Sequence, residues 1–435
     1  MLKSVRLHAR KFVHEVVRKL ISWLPREQRF EVFRSFADCN PAPGERLVLK
    51  IAETKEELEA CFAVLHDAYV DSGFMKPDPS GMRVTIYHAL PTTTTLCAKY
   101  DGQVVGTISL IRESALGVPL QSIFDLTSVR EKEGYIAEVS ALAVHRKFRK
   151  TGGSILFPLM KFMYEYCTIF FDTRHLVIAV NPSHIEMYES LLFFQRLTEK
   201  MVERYDFVNG APAIGATLDL REAPEIFRKH YSSKPPRRNL HAYFTQVKLP
   251  NIHFPSRRFF VTNDPVLTPE LLDHFFNVRT KTFENLSERK KVLLHTIYDL
   301  PQYQSVLPTL SASPEDIPVR RHQRFTVKCP ARIVFLTADG KREIPVEVID
   351  VSRYGFQARA HELLPLNTWC DVDIQLGHSD VSHFRALALR ENSNGFNGYY
   401  GFRLGEPDTL WGKFVSALHR STTFSDLDTA TRFLD

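Results

Sequence analysis

At 435 residues the chain is long enough for two or three domains, and its 44% hydrophobic and 24% charged residues are those of a soluble globular protein. The formal net charge of the chain is +6. Residues 1–30 contain eight Lys or Arg and two Glu, a net charge of +6, so the rest of the chain is about neutral. This argues against a nucleic-acid-binding protein, which spreads basic charge over a folded face.

Cysteine, histidine and apolar patterns exclude several further classes. The six cysteines lie far apart with no C-x-x-C pair, which indicates reduced thiols in a cytoplasmic protein rather than a zinc ribbon or a disulfide framework. The 17 histidines include no H-E-x-x-H, so no metal site is predicted. No apolar run reaches about 18 residues, so no membrane-spanning helix is predicted.

Residues 1–45 form a basic N-terminal segment in which residues 2–24 predict an amphipathic helix. Val13, Val16, Val17 and Leu20 recur at helical spacing, and Trp23 lies near the end. Three interpretations stay open: a helix docked on the body of the protein, a peripheral contact with the inner membrane surface, or a contact with an acidic partner such as acyl carrier protein.

Residues 46–222 alternate predicted strands and helices. The first strand is 46–52, and residues 93–100 and 103–111 predict a hairpin around Asp101-Gly102. A strand at 135–144 is followed by a basic turn and a helix, and a buried strand at 175–180 precedes another helix. Residues 202–208 and 213–220 can complete a mixed α/β sheet with flanking helices.

The turn after the strand at 135–144 has the features of an anion site. Gly152 and Gly153 allow close backbone approach, and Arg146, Lys147, Arg149 and Lys150 supply positive charge. The following helix adds the positive end of its dipole. An ordinary basic turn between a strand and a helix is the alternative.

This segment resembles the acyl-donor-binding motif of the GNAT acyltransferase superfamily, with Arg149, Gly152 and Ser154 on its Arg-x-x-Gly-x-small pattern. The strand sequence AEVSALAV is similar to that of acyl-homoserine lactone synthases and long-chain N-acyl amino acid synthases. The resemblance, which spans residues 46–222, implies a phosphopantetheine thioester as donor, carried by acyl carrier protein or coenzyme A.

The resemblance also implies site residues. Glu138 stands where many members carry an acidic base, and Tyr188 stands where an aromatic residue approaches the donor. Backbone groups near Val144 would stabilise the oxyanion, and Arg146, Arg149, Gly152, Gly153 and Ser154 would hold the donor's phosphate. An amine must lose a proton before it attacks a thioester, and a carboxylate in a partly dry cleft can accept it. We therefore expect direct attack without a covalent intermediate. A structural salt bridge for Glu138 and simple packing for Tyr188 are the alternatives.

Residues 223–312 predict a linker and a helical connector. The segment 232–239 reads as exposed, and a helix begins at Thr268-Pro269-Glu270. The many aromatic residues that follow are interpreted as core, or alternatively as a groove for a long acyl chain.

Residues 313–420 predict an all-β unit followed by a final helix, with a tail at 421–435. Six strands are predicted at 324–337, 342–350, 355–361, 369–375, 382–390 and 399–404. Arg320 and Arg324 precede the first strand, and Asp350, Ser352 and Gly355 follow the second. This R-x-x-x-R and D-x-S-x-x-G pair resembles the PilZ domain, a six-stranded barrel that binds cyclic di-GMP.

The chemistry of cyclic di-GMP fits these residue types. Arg320, Arg321 and Arg324 can pair with phosphate or with guanine O6 and N7, and Asp350 can accept from guanine N–H groups. Ser352 and Gly355 would shape the turn beside the ligand. A basic linker next to an unrelated turn is the alternative.

Three functions remain open on the sequence alone. The first is an N-acyltransferase that joins a long-chain acyl group to an amino acid or similar amine, regulated by cyclic di-GMP as an allosteric ligand. The second is a cyclic di-GMP effector whose GNAT-like domain is catalytically silent. The third is an acetyl-CoA-dependent N-acetyltransferase.

Overall fold

The computed structural model describes residues 23–114, 116–132, 134–149, 151–171, 173–255, 260–261, 267–298, 301–311, 324–337, 340–376, 380–391 and 398–420. The predicted helix at 2–24 falls almost wholly outside these residues, as do Lys150, Arg320 and Arg321.

The first unit is a mixed sheet flanked by helices, as predicted. Its strands are β1 (Leu47–Ile51), β2 (Thr93–Tyr100), β3 (Gln103–Arg112), β4 (Tyr135–Val144), β5 (Thr173–Val180), β6 (Gln195–Arg196), β7 (Val202–Tyr205) and β8 (Ala211–Asp219). The sheet order is β1-β2-β3-β4-β5-β8-β6, and β7 pairs with β8. Among the described strands of this sheet, only β4 and β5 pair in parallel.

Helices cover the faces of this sheet. They are α1 (Arg26–Ser35), α2 (Lys55–Asp71), α3 (Thr127–Arg130), α4 (Leu156–Phe170), α5 (Ile185–Leu192), α6 (Ala223–Tyr231) and α7 (Leu240–Thr245). Helix α4 is the most buried, because Phe157, Leu159, Phe162 and Tyr166 all pack in the main core. Phe227 and Tyr231 of α6 join that core, so the chain beyond residue 222 still contributes to the first unit.

Strand β4 carries the irregularities that open the sheet. Its pairing with β5 extends only from Tyr135 to Glu138, after which the two strands diverge. On its other side a bulge places Ala141 and Leu142 opposite a single residue of β3, and Ala141 has a φ of 53°. The sheet therefore contains a gap between β4 and β5 immediately after Glu138.

The helical connector, which follows the first unit in the chain, packs against that unit. It contains α8 (Pro269–Leu272), a π-helix (Asp273–Arg279), α9 (Glu288–Ile297) and α10 (Pro301–Gln304). Phe275 and Phe276 are buried, and the Phe275 ring meets the Phe62 ring of α2 edge-on at 5.2 Å. These aromatic side chains are core, the first of the two interpretations that the sequence left open.

The second unit is a closed six-stranded antiparallel barrel, as predicted. After the two-residue strand β9 (Phe260–Val261), its strands are β10 (Phe325–Thr337), β11 (Gly340–Ser352), β12 (Gly355–Ala360), β13 (Trp369–Gln375), β14 (Val381–Glu391) and β15 (Tyr399–Leu404). The barrel closes because β10 pairs with both β11 and β13. Helix α11 (Thr409–Arg420) inserts Trp411 against Phe384 at 5.1 Å.

All six cysteines lie in the described residues, where each is buried and has a free thiol. Among the described helices, none is both long enough and apolar enough to cross a membrane.

Candidate active site

A cavity of about 140 Å³ fills the gap between β4 and β5. Glu138 and Tyr188, both singled out from the sequence, line it together. Ala141 and Leu142 of the β4 bulge form one wall, and Met160 and Met163 of α4 are among its apolar lining. The strand divergence thus brings a carboxyl group, a phenol and an apolar surface to one cavity.

Glu138 is almost completely buried, with 2% of its surface exposed. Burial raises the pKa of its carboxyl group from 4.5 to about 8, although the Leu120 N–H, which donates to Oε2 at 2.8 Å, acts in the opposite direction. The structural salt bridge considered from the sequence is absent from the described residues, where no cation pairs with Glu138. A carboxyl group of this kind can exchange a proton near neutral pH.

Tyrosines surround this carboxyl group. Tyr188 is buried, which raises its pKa to about 12, and its ring meets Phe194 edge-on at 6.0 Å. The pKa of Tyr87 is raised to about 12 by burial and by the charge of Glu138. Tyr205 has a raised pKa from the same two causes, and its buried hydroxyl has no hydrogen-bond partner in the described part of the chain.

An arginine lies behind the same cavity and was missed by the sequence analysis. The guanidinium of Arg83 lies 4.3 Å from the ring centroid of Tyr69 and 5.6 Å from that of Phe207, and it donates to the Phe207 carbonyl. Tyr69 and Phe207 line the cavity. Arg83 is only 8% exposed. In the sequence, Arg83 is a single cation in the stretch GMRVTIYH. This stretch has no regular apolar periodicity that would have predicted a buried arginine.

The turn after β4 has the predicted strand-turn-helix form, although the helix begins at Leu156, two residues later than expected. Gly152 and Gly153 have φ values of 64° and 85°, and a side chain at Gly153 would overlap the Phe157 ring. The Thr151 and Ser154 hydroxyls lie 2.6 Å apart. The glycines are therefore required by the backbone of this turn.

Arg149 of the turn is held by two hydrogen bonds. Arg149 donates from Nε to the Val144 carbonyl at 2.8 Å and from Nη1 to Asp71 at 3.0 Å, so it is fixed against β4 and α2. Arg146 and Arg149 line a separate cleft of about 260 Å³ that also contains Asp71. Val144, the last residue of β4, joins this turn to the strand that carries Glu138.

The barrel brings together the described residues of the R-x-x-x-R and D-x-S-x-x-G pair, which are Arg324, Asp350, Ser352 and Gly355. Arg324 Nη1 lies 3.1 Å from Asp350 Oδ2, and the Ser352 hydroxyl donates to the Gly355 carbonyl at 3.0 Å. A Cβ at Gly355 would lie 2.5 Å from the Phe402 carbonyl of β15, so only glycine fits there. Arg320 and Arg321 lie outside the described residues.

The central part of the chain, residues 60–219, matches the family model described as N-acyl amino acid synthase FeeM. Among solved structures, the chain is similar to FeeM, an N-acyl amino acid synthase from uncultured soil microbes, with 28% identity over 41% of this chain and 94% of that chain and a TM-score of 0.35. It is also similar to BjaI, a CoA-dependent acyl-homoserine lactone synthase, with 18% identity, 48% and 92% coverage and a TM-score of 0.35. For the AHL synthase LasI the identity is 17%, the coverage 41% and 91%, and the TM-score 0.31. No curated protein matches the chain. The family match indicates that residues 60–219 are an acyltransferase.

Proposed function

We propose that the chain is an N-acyltransferase that transfers a long-chain acyl group from acyl carrier protein to the amine of an amino acid or a similar acceptor. The observation that carries the proposal is Glu138, a buried carboxyl group with a pKa of about 8 in the cavity where β4 and β5 diverge. The family match over residues 60–219 supports the same type of reaction.

Glu138 acts as the general base in this mechanism. A free α-amine has a pKa of about 8 and is mostly protonated at neutral pH. Because the pKa of Glu138 is also about 8, the ionised fraction of this group, about a tenth at pH 7, can accept the ammonium proton, directly or through water, with little change in free energy. The neutral amine nitrogen then attacks the thioester carbonyl carbon.

In the tetrahedral intermediate the attacking nitrogen carries an extra proton, which it releases to solvent. The intermediate then collapses by breaking the C–S bond, and the electron pair leaves on sulfur. Tyr188 remains a phenol at neutral pH because its pKa is about 12, so it can donate a proton to the departing thiolate. The products are an amide and a free phosphopantetheine thiol. Solvent then takes the proton from Glu138 and restores the one that Tyr188 gave up. Backbone N–H groups between the bulge at Ala141 and Val144 would stabilise the oxyanion.

The acyl chain and the phosphopantetheine would occupy different parts of this site. The turn with Arg146, Arg149, Gly152, Gly153 and Ser154 would hold the donor's phosphate. The methionines of α4 would contact the acyl chain. Since about 150 Å³ holds only a benzene-sized group, a long chain requires Met160 and Met163 to move, and unbranched methionine side chains adapt readily.

We further propose that residues 313–420 are a PilZ domain through which cyclic di-GMP regulates the acyltransferase. The Arg324–Asp350 pair and the turn at Ser352 and Gly355 support a site for a ligand with phosphates and guanines. A contact with the catalytic unit supports this proposal, because the ring of Tyr399 on β15 lies 5.7 Å from that of Tyr135 on β4. Tyr135 begins the strand that carries Glu138 three residues later.

Mass spectrometry of lipid extracts tests the catalytic proposal. A host that expresses the wild type should accumulate N-acyl amino acids, and Glu138→Gln should lower them by about 100-fold or more because general base catalysis is lost. Glu113→Gln is the matched control, since Glu113 pairs with Arg130 at the surface. Equal extracts from the wild type and Glu138→Gln would instead support a catalytically silent domain.

Donor and ligand preferences need two separate measurements. Purified protein should form the amide faster from acyl carrier protein than from the coenzyme A thioester of the same acyl group. Calorimetry with cyclic di-GMP should show binding that Arg324→Ala weakens by about 10-fold or more, the loss expected for a charge-assisted hydrogen bond. Absence of heat with folded wild type would remove the regulatory proposal and leave the catalytic one intact.

A further inference from the structure

Arg83 is a buried cation whose charge is not balanced by a neighbouring acid. Among the described residues no carboxylate lies within ion-pairing distance of its guanidinium, whose recorded hydrogen bond goes to the Phe207 carbonyl. Elsewhere in the same unit, Arg196 pairs with the buried Glu189 and Arg174 with the half-buried Asp219. A buried guanidinium without an anion is costly, and the cost is recovered when a ligand supplies the anion.

The environment of Arg83 connects it to the cavity that holds Glu138. The two rings that flank its guanidinium, Tyr69 and Phe207, are part of the cavity wall. The charges of both Glu138 and Arg83 act on the hydroxyl of Tyr205, which is 1% exposed and also lines the cavity. That hydroxyl has no hydrogen-bond partner in the described residues. An unpartnered phenol and an acid therefore border one small space, and a cation lies behind two of the rings that line it.

We propose that Arg83 binds the carboxylate of the acceptor and so selects free amino acids over simple amines. The inference rests on the proposed N-acyltransferase function and names the substrate class of the same cavity. A guanidinium presents several N–H donors in a planar fork that matches a carboxylate. Tyr205 would donate a hydrogen bond from its hydroxyl to the same carboxylate, and contacts with the Tyr69 and Phe207 rings would keep the guanidinium in place.

This arrangement also orients the amine. In an α-amino acid a single carbon separates the carboxylate from the nitrogen, so fixing the carboxylate at Arg83 directs the nitrogen toward the interior of the cavity, where Glu138 lies. The carboxylate does not take part in the chemical step. Arg83 is thus a specificity residue, and its loss should mainly raise KM for the amino acid.

The test compares two acceptors with the purified full-length chain and a fixed acyl thioester donor. One acceptor is an amino acid, and the other is the amine obtained by removing its carboxylate. The wild type should prefer the amino acid by about 10- to 100-fold in kcat/KM, the range for one or two charge-assisted hydrogen bonds. Arg83→Met should remove this preference by raising KM for the amino acid, while kcat/KM for the amine changes only a few-fold.

Arg112→Met is the control for a purely structural loss. Arg112 is also buried beneath an aromatic ring, that of Phe171 at 4.1 Å, and it also donates to backbone carbonyls, including that of Pro91. This variant should lose stability but keep the ratio between the two acceptors. Arg83→Lys should recover part of the preference.

The outcomes separate this inference from the proposed function. A wild type that acylates both acceptors equally well would overturn the role of Arg83, and that result needs no variant to fold. Equal losses toward both acceptors in Arg83→Met, with its circular dichroism unchanged, would also overturn it. If the wild type acylates neither acceptor, the proposed function itself fails.

Discussion

Glu138 and Glu57 show how environment gives two glutamates of one domain opposite properties. Both are largely buried. Burial raises the pKa of Glu138 to about 8, because no cation compensates it among the described residues. Burial acts in the same direction on Glu57, but hydrogen bonds from Lys99 and Lys50 outweigh it and lower the pKa of Glu57 to about 2. Glu57 therefore stabilises the fold as an anion, whereas Glu138 is kept at a cost in stability.

This difference predicts opposite effects of pH on the stability of two variants. The folded state keeps the proton of Glu138 up to about pH 8, whereas the unfolded chain releases it near pH 4.5, so wild-type stability falls as pH rises between these values. Glu138→Gln does not carry this cost and should be more stable than the wild type by on the order of 3 kcal/mol at pH 7, with little difference at pH 4. Urea unfolding at the two pH values measures this.

Glu57→Gln is the matched comparison. The lowered pKa of Glu57 contributes stability that is present above about pH 4.5 and is lost as pH falls toward 2, so this variant should be less stable than the wild type at pH 7. Parallel pH profiles for the wild type and Glu138→Gln would show that the Glu138 pKa is not raised in the folded protein.

Single residues were predictable where a local motif carried them. Glu138 was identified because it lies on a strand followed by a recognisable glycine-containing turn. Arg83, Tyr205 and Phe207 were not, because they come from separate loops and a short strand that meet only in the folded chain. No local periodicity links positions more than 120 residues apart in sequence.

At the scale of elements, β4 and the turn after it form one continuous structural segment beside the cavity. The bulge at Ala141 and the early end of the β4–β5 pairing open the cavity, and the turn at 145–154 closes against α2 through Arg149 and Asp71. The backbone of that turn depends on two glycines at positive φ.

Gly153→Ala should therefore impair donor binding. The new methyl group would overlap the Phe157 ring, and the backbone at a φ of 85° costs about 1–2 kcal/mol for a non-glycine residue. We expect KM for the acyl donor to rise by about 10-fold, with KM for the acceptor little changed, in steady-state kinetics. Gly340→Ala is the control, because Gly340 is also at positive φ but lies in the barrel with open space around it. A similar KM change in both variants would argue against a donor site at the turn.

The elements that the sequence predicted well are those with a strong local pattern. The barrel strands begin and end within about two residues of the prediction, because apolar alternation and turn residues define them. The connector was less predictable. Its π-helix at Asp273–Arg279 and the packing of Phe275 against Phe62 depend on contacts with a helix some 200 residues earlier in the chain.

At the scale of the whole molecule, the acyltransferase unit extends beyond the residues that resemble the GNAT fold. Helices α6 and α7 bury Phe227, Tyr231 and Tyr243 in the main core, and the connector buries Phe275 and Phe276 against α2. The first unit is therefore incomplete without residues 223–311.

Two truncations test this extent. A chain ending at residue 222 leaves large apolar surfaces of α2 and α4 exposed, so it should aggregate or unfold without a cooperative transition. A chain ending at residue 311 should fold and should acylate amines at a rate that does not respond to cyclic di-GMP. Thermal unfolding measures whether each truncated chain unfolds cooperatively, and acylation assays measure its activity. Cooperative unfolding of the shorter chain would place the boundary of the unit at residue 222.

The strand β9 gives the chain an unusual path between its two units. Phe254 packs in the core of the first unit, Val261 pairs with Val327 of the barrel, Leu267 packs with the connector, and Phe325 returns to the barrel. The polypeptide thus passes from one unit to the other three times. A chimera that exchanges the barrel at a single junction would separate β10 from a strand that lies more than 60 residues upstream, so replacement of the complete barrel requires two junctions.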